Sequence, residues 1–153
     1  MTRKSRLGLL LLVFLAVPAA ADERFPIPDG LQPDVDFWID IFSHYTTGQG
    51  VLHDNRNLAV VYERIDLPAS MDRRERQRRV AKRREHYQAV LRTLATGKRD
   101  KLSDDEARVV ALWPEDVSNS TLGAAAKQIR YQQGLRDRFR EGLERSGRWR
   151  AYI

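Results

Sequence analysis

The sequence predicts a mainly α-helical protein, a small helical bundle with one short β-hairpin after a cleavable signal peptide. Three observations lead there. Apolar side chains recur at helical spacing in four separate stretches. A single section near residues 50–65 changes period and is rich in β-formers around an Asp/Asn turn. The first twenty-one residues are basic, then apolar, then small. Of 153 residues, about 130 remain after such a leader, enough for one small domain.

In the leader, Arg3, Lys4 and Arg6 precede an apolar run from Leu7 to Val17. Pro18 breaks it and Ala19-Ala20-Ala21 closes it. A translocation channel and a signal peptidase read this order, so cleavage is expected after Ala21 and the mature chain is expected to be periplasmic or exported. The apolar run is about eleven residues, whereas a membrane span needs about twenty, so a transmembrane anchor is the weaker reading. The chain has no cysteine. That excludes a lipid anchor on cysteine, disulfides, a thiol nucleophile and a thiolate metal site. Loss of Arg3, Lys4 and Arg6 lowers the formal charge from +6 to +3. The remaining charges are of both signs, which suits solvated helix faces better than a nucleic-acid groove.

Residues 22–33 hold Pro26, Pro28, Gly30 and Pro33 and are expected to form an extended arm. A helical accessory domain is expected over 34–147. Asp34 is a candidate cap for its first helix, on which Val35, Trp38, Ile39, Phe42 and Tyr45 share a face. The hairpin is expected over 50–65, turning at Asp54-Asn55-Arg56-Asn57. In its second strand Val60, Tyr62 and Arg64 would face one way, and Val61, Glu63 and Ile65 the other. A helical turn over 58–65 is the alternative. Pro68 and Ser70 introduce a long polar helix whose core face is Val80, Tyr87, Val90, Leu91 and Leu94, ended by Gly97. Ser103 to Glu106 forms a capping box for a short helix bearing Val109, Val110, Leu112 and Trp113 and stopped by Pro114. A last long helix from Ser118–Thr121 to Ser146-Gly147 would bury Leu122, Ala125, Ile129, Leu135, Phe139 and Leu143. Residues 148–153, with Trp149, Tyr152 and Ile153, read as the start of a further, missing element.

The chain has no Gly-rich phosphate loop, no two-histidine helix motif and no nucleophile elbow. His44, His53 and His86 fall in three different elements, so no metal site and no cofactor are expected. His53-Asp54 reads as a turn-fixing pair before an acid–base dyad. Asp104, Asp105 and Glu106 are explained by capping, Glu115-Asp116 by a solvated loop, and Glu141 with Arg145 by an ordinary helix-surface pair. A catalytic acid needs an apolar, partly dry pocket, and none of these acids sits in an apolar run. No catalytic residue is therefore assigned. The strongest electrostatic feature is the stretch from Asp72 to Arg84. Arg73, Arg74, Arg76, Arg78 and Arg79 are candidate contacts to acidic wall polymers or, peripherally, to an anionic membrane surface. Trp149 is a candidate glycan-stacking residue, while Trp38 and Trp113 read as core.

Three stretches together carry a resemblance. Phe25-Pro26-Ile27-Pro28 precedes the Trp38 helix, and His53-Asp54 precedes Val60-Val61-Tyr62-Glu63. Gln132-Gln133-Gly134-Leu135-Arg136-Asp137-Arg138-Phe139-Arg140-Glu141-Gly142-Leu143 precedes Ser146-Gly147-Arg148. Over most of residues 25–153 the chain resembles the segment ahead of the catalytic domain in membrane-bound lytic murein transglycosylase D-like proteins. That family cleaves peptidoglycan glycan strands without water, using one glutamate in a lysozyme-like domain, within a Glu-Ser pair followed by a Gly-Leu-Trp-Gln-type stretch. This chain has neither Glu-Ser nor Gly-Leu-Trp, so no catalytic residue is carried over. The resemblance implies an accessory domain that positions a following lysozyme-like catalytic domain, or the glycan strand, in cell-wall remodelling. The competing expectation is a stand-alone periplasmic adaptor contacting the wall or a membrane surface. A small glycan-cleaving enzyme in its own right is the third. No nucleic-acid partner is expected.

Overall fold

The computed structural model describes residues 27–150, with side chains at all of these but 29 and 148–150. The expected signal peptide and its cleavage point lie outside the described residues. A 3-10 turn (Asp29–Leu31) leads into α1 (Gln32–Ser43), β1 (Gln49–Asp54), β2 (Val61–Asp66), α2 (Arg73–Leu94), α3 (Asp104–Val110), α4 (Asn119–Ala125), β3 (Ile129–Gln133) and α5 (Arg136–Arg150). The strands form one antiparallel sheet in the order β2-β1-β3. The protein is therefore mainly helical but mixed α/β, with a sheet between two helical layers in place of a pure bundle.

The expected hairpin is β1–β2, and no helix forms over 58–65. The paired register runs from Gln49 opposite Asp66 to Leu52 opposite Glu63, then slips so that His53 faces Val61. This bulge breaks the expected alternation, because an extra residue in one strand resets which face its neighbours take. Tyr62 and Glu63 both reach α2: the Tyr62 ring stacks on Tyr87 with centroids 5.7 Å apart, and Glu63 pairs with Arg83 at 2.7 Å. Arg64 turns to the other layer, over the Tyr45 ring.

The larger core lies between the sheet and α2, α3 and α4. Leu52, Tyr87, Leu91, Leu94, Val109 and Leu122 are fully buried there. Tyr87, Val90, Leu91 and Leu94 are the expected core face of α2, and Val80 is half-buried beside them. Asp72, rather than Ser70, caps α2 in a capping box with Glu75. The Ser103–Glu106 box caps α3 as expected, and Ser118 caps α4. Gly97 ends the α2 region at a positive φ of 93°, where a side chain would be strained.

The smaller core lies on the other sheet face and joins Phe37, Ile41 and Tyr45 to Val51. Here the expected α1 face is corrected. Of its five residues only Tyr45 is buried; Val35 is half-buried and Trp38, Ile39 and Phe42 are exposed. Phe37, Ile41 and Tyr45, four residues apart, take the sheet because that row is continuous over the helix. Asp34 is not the cap: α1 starts at Gln32 with Pro33 in its first turn, where its missing N–H costs nothing. The end of the expected arm is corrected, since residues 29–33 are already helical, and 22–26 lie outside the described residues.

The expected long C-terminal helix is three elements, α4, β3 and α5. Leu122, Ala125 and Ile129 are buried and Leu135 half-buried, but Phe139 and Leu143 are exposed. Gly134 explains the break. A Cβ at Gly134 would overlap the Tyr45 and Thr46 carbonyls, so only glycine lets β3 leave the sheet so close to the end of α1. The amides of Leu135 and Arg136 then donate to the Ile41 and Tyr45 carbonyls at 2.9 and 3.0 Å. These bonds satisfy acceptors that the end of α1 leaves open. α5 runs through Ser146-Gly147 to Arg150 instead of stopping there.

Candidate functional site

The acid and histidine candidates are held by structural partners. Asp54 is 1% exposed, and its Oδ1 accepts the amides of Arg56 and Asn57 at 2.7 and 3.0 Å. Its Oδ2 lies 3.5 Å from the Tyr62 hydroxyl. Burial first, and then the Asp54 charge, push the Tyr62 hydroxyl above the usual phenol range. His53 donates from Nδ1 to the Asp54 carbonyl at 3.0 Å and packs on the Phe37 ring. Burial lowers its pKa below the usual histidine value. The pair thus fixes the β1–β2 turn, the imidazole bonding the Asp54 carbonyl and not its carboxylate. His44 pairs with Asp40 at 2.8 Å and His86 with Asp105 at 2.7 Å. The three histidines stay in separate places, and among the described residues no cluster of three metal-ligating side chains occurs. Glu106 accepts from Lys98 and from the Ser103 amide, which hold its pKa down. Glu141 and Arg145 approach to 3.7 Å on the exposed face of α5.

The arginine-rich stretch is divided by the helix it forms. Arg73 and Arg76 open onto a cleft of about 520 Å³ between α2 and the sheet, joined by Arg84 one helical row further on. Its floor is Leu67, Val80, Ala81 and Tyr131. Arg76 is anchored: Nε donates to the Met71 carbonyl at 3.0 Å and one terminal nitrogen to that of Pro68 at 2.9 Å. Arg74, Arg78 and Arg79 are exposed and do not line the cleft. The side chain of Trp149 lies outside those described.

A second surface is apolar. Leu31, Trp38, Ile39, Phe42 and Phe139 line a groove of about 460 Å³ between α1 and α5. Trp38 is 41% and Ile39 51% exposed. The Phe42 and Phe139 rings meet across the two helices with centroids 5.5 Å apart. Leu143, one turn further along α5, is also exposed. Single exposed apolar residues are ordinary, whereas a contiguous set such as this is a candidate interaction surface.

Comparison of the chain with protein-family models, with curated proteins and with solved structures gave no match. The two grooves therefore rest on their own geometry. The sequence singles out Arg73 and Arg76 and bounds the basic stretch at Arg84, but it shows neither Arg84 as a cleft residue nor Tyr131 nor the apolar groove. Arg84 is eleven residues from Arg73, three turns along the same helix face, and that spacing was the available signal. Tyr131 was hidden by reading β3 as helix.

Proposed function

We propose that this chain is an exported accessory domain of a peptidoglycan lytic transglycosylase, seating a lysozyme-like catalytic domain and helping to hold the glycan strand. The observation that carries the reading is the α1/α5 groove, left open among the described residues. Covering a fully apolar side chain is worth about 1.5–3 kcal/mol, and the groove presents several side by side. Phe139 and Leu143 lie on α5 itself, within reach of a domain that continues from that helix. The resemblance of residues 25–153 to the segment ahead of such a domain supports the same reading. On this reading cleavage falls to the neighbour, since the chain carries neither Glu-Ser nor Gly-Leu-Trp.

Mixing the chain with a separately purified lysozyme-like transglycosylase domain tests this. Binding is expected, weakened at least about tenfold by Trp38→Ser with Phe139→Ser. The chain alone is expected to release no anhydro-muropeptides from sacculi. Release would overturn the non-catalytic assignment, and a lack of association would overturn the seating role. A second reading, a stand-alone periplasmic adaptor at the wall or membrane surface, is favoured by the α2 arginines. It predicts sacculus or vesicle binding with no association with a catalytic domain.

A further inference from the structure

The α2/β3 cleft has a lining that the α1/α5 groove lacks. Three guanidinium groups reach it and no carboxylate does. Arg73 and Arg84 enter no ion pair or hydrogen bond among the described residues, so their charge is uncommitted. They stand eleven positions apart on the helix, or about 16 Å along the axis. Between these two ends the wall also carries the side-chain amides of Gln77 and Gln133, with Val80 and the half-buried Tyr131 below. Arg76 sits beside this middle section, held by two backbone carbonyls and so rigid in its aim.

The floor is built deliberately low. A Cβ at Gly50 would overlap the Tyr131 ring and the Gln132 carbonyl, so glycine in β1 lets the ring lie flat against the strand. The cleft so formed runs along α2, with an uncommitted charge at each end and Arg76 and two amides between. A flat bilayer would touch its arginines only at the rim, and no apolar side chain projects from it to insert.

We propose that this cleft binds an extended acidic peptide, its carboxylates on Arg73 and Arg84 and its backbone amides facing Gln77 and Gln133. Resting on the wall-associated reading above, the ligand class is the carboxylate-bearing peptide branches of peptidoglycan rather than its sugar chain. Arginine suits this role because its planar fork meets a carboxylate through two parallel hydrogen bonds.

The test uses the full chain and three probes: soluble disaccharide-peptide fragments, glycan strands stripped of peptide, and vesicles rich in anionic lipid. Binding is expected to the peptide-bearing fragments alone, weakening with salt. Arg84→Gln is expected to reduce affinity roughly tenfold, the loss of one charged contact, and Arg73→Glu with Arg84→Glu to abolish it. Arg78→Glu with Arg79→Glu, on exposed positions outside the cleft, is expected to change affinity less than about threefold. All four positions are exposed, and unchanged circular dichroism checks their folding. Equal binding of stripped glycan, preference for vesicles, or indifference to Arg73 and Arg84 would overturn the assignment. The two proposals fail separately. Sacculus binding that survives loss of both arginines sinks the cleft alone. Binding of a free acidic peptide without any binding of sacculi keeps the cleft and sinks the wall reading.

Discussion

The two faces of the sheet are finished to different degrees. Toward α2, α3 and α4 the apolar side chains close on one another, and ion pairs such as Arg83–Glu63 and Lys98–Glu106 stand at the rim. Tyr87 lies at the centre with no exposure, and its hydroxyl accepts from Arg83 and Arg108 at 3.3 and 2.6 Å. Toward α1 the core is small: Phe37, Ile41 and Tyr45 cover Val51, and the other side of the same helix offers Trp38, Ile39 and Phe42 to solvent. A helix apolar on two sides implies two partners. The sheet is one, and on the proposal above a catalytic neighbour is the other. The first face carries most of the buried core, whereas the second leaves apolar side chains open among the described residues.

The largest effect is expected in the closed core. Leu91 is fully buried, and Leu91→Ala removes its contacts and leaves a cavity. Destabilisation of about 2–5 kcal/mol is expected in urea unfolding. A loss below about 1 kcal/mol would mean that this core is looser than its burial indicates.

Next is the sheet between the layers. Gly50→Val would push on Tyr131 and the Gln132 carbonyl, costing about 1–3 kcal/mol through overpacking. Because Tyr131 floors the cationic cleft, the same change is expected to weaken acidic-peptide binding in chains that remain folded. Folding unaffected by valine would show that β1 and β3 do not approach as described.

The chain makes these layers legible unevenly. Capping boxes, the hairpin and the α2 core face are local patterns, and Ser103 with Glu106, or Tyr87 with Leu91, can be read from spacing. The third strand is not local. Ile129, Tyr131 and Gln133 alternate like a strand, but Leu122, Ala125 and Ile129 also continue a helical row. Only the pairing with β1 and the close approach at Gly134 decide between them. On α1 the residue types were right and the face was wrong. Its apolar residues cover more than half the circumference, and spacing cannot say which part meets the sheet. The cationic cleft was half visible for the same reason: Arg73 and Arg76 are in one run, whereas Tyr131 and Gln133 arrive by tertiary folding.

Acid should separate the two faces. Burial lowers the His53 pKa against the opposing pull of the Asp54 carbonyl and carboxylate. The unfolded chain then takes up its proton first, near pH 6.5. Stability from neutral His53 is present above that pH and is lost as pH falls toward the lower folded value. On the other face, His86 and then Arg108 lower the pKa of Asp105, and Lys98 lowers that of Glu106. Those contributions hold above the unfolded carboxylate range, near pH 4, and fade only below it. Amide-exchange protection, corrected for intrinsic rates, is expected to drop in α1 as pH falls below about 6.5 while α2 holds. His53→Gln should flatten the α1 response. Simultaneous loss in both helices would contradict the division.

The smallest effect tests the open face most directly. Leu143 is 56% exposed on α5, so in the isolated chain Leu143→Gln exchanges one solvated side chain for another. Its stability is expected to stay within about 0.5 kcal/mol of the parent in urea unfolding. Its association with a lysozyme-like domain is expected to weaken several-fold, because a glutamine amide buried at an apolar contact gives up its water. Leu91→Ala should do the reverse once stability is restored at low temperature: large in unfolding, small in association. If Leu143→Gln instead unfolded the chain, α5 would belong to the core, and the groove would be part of the fold rather than a seat for a neighbour.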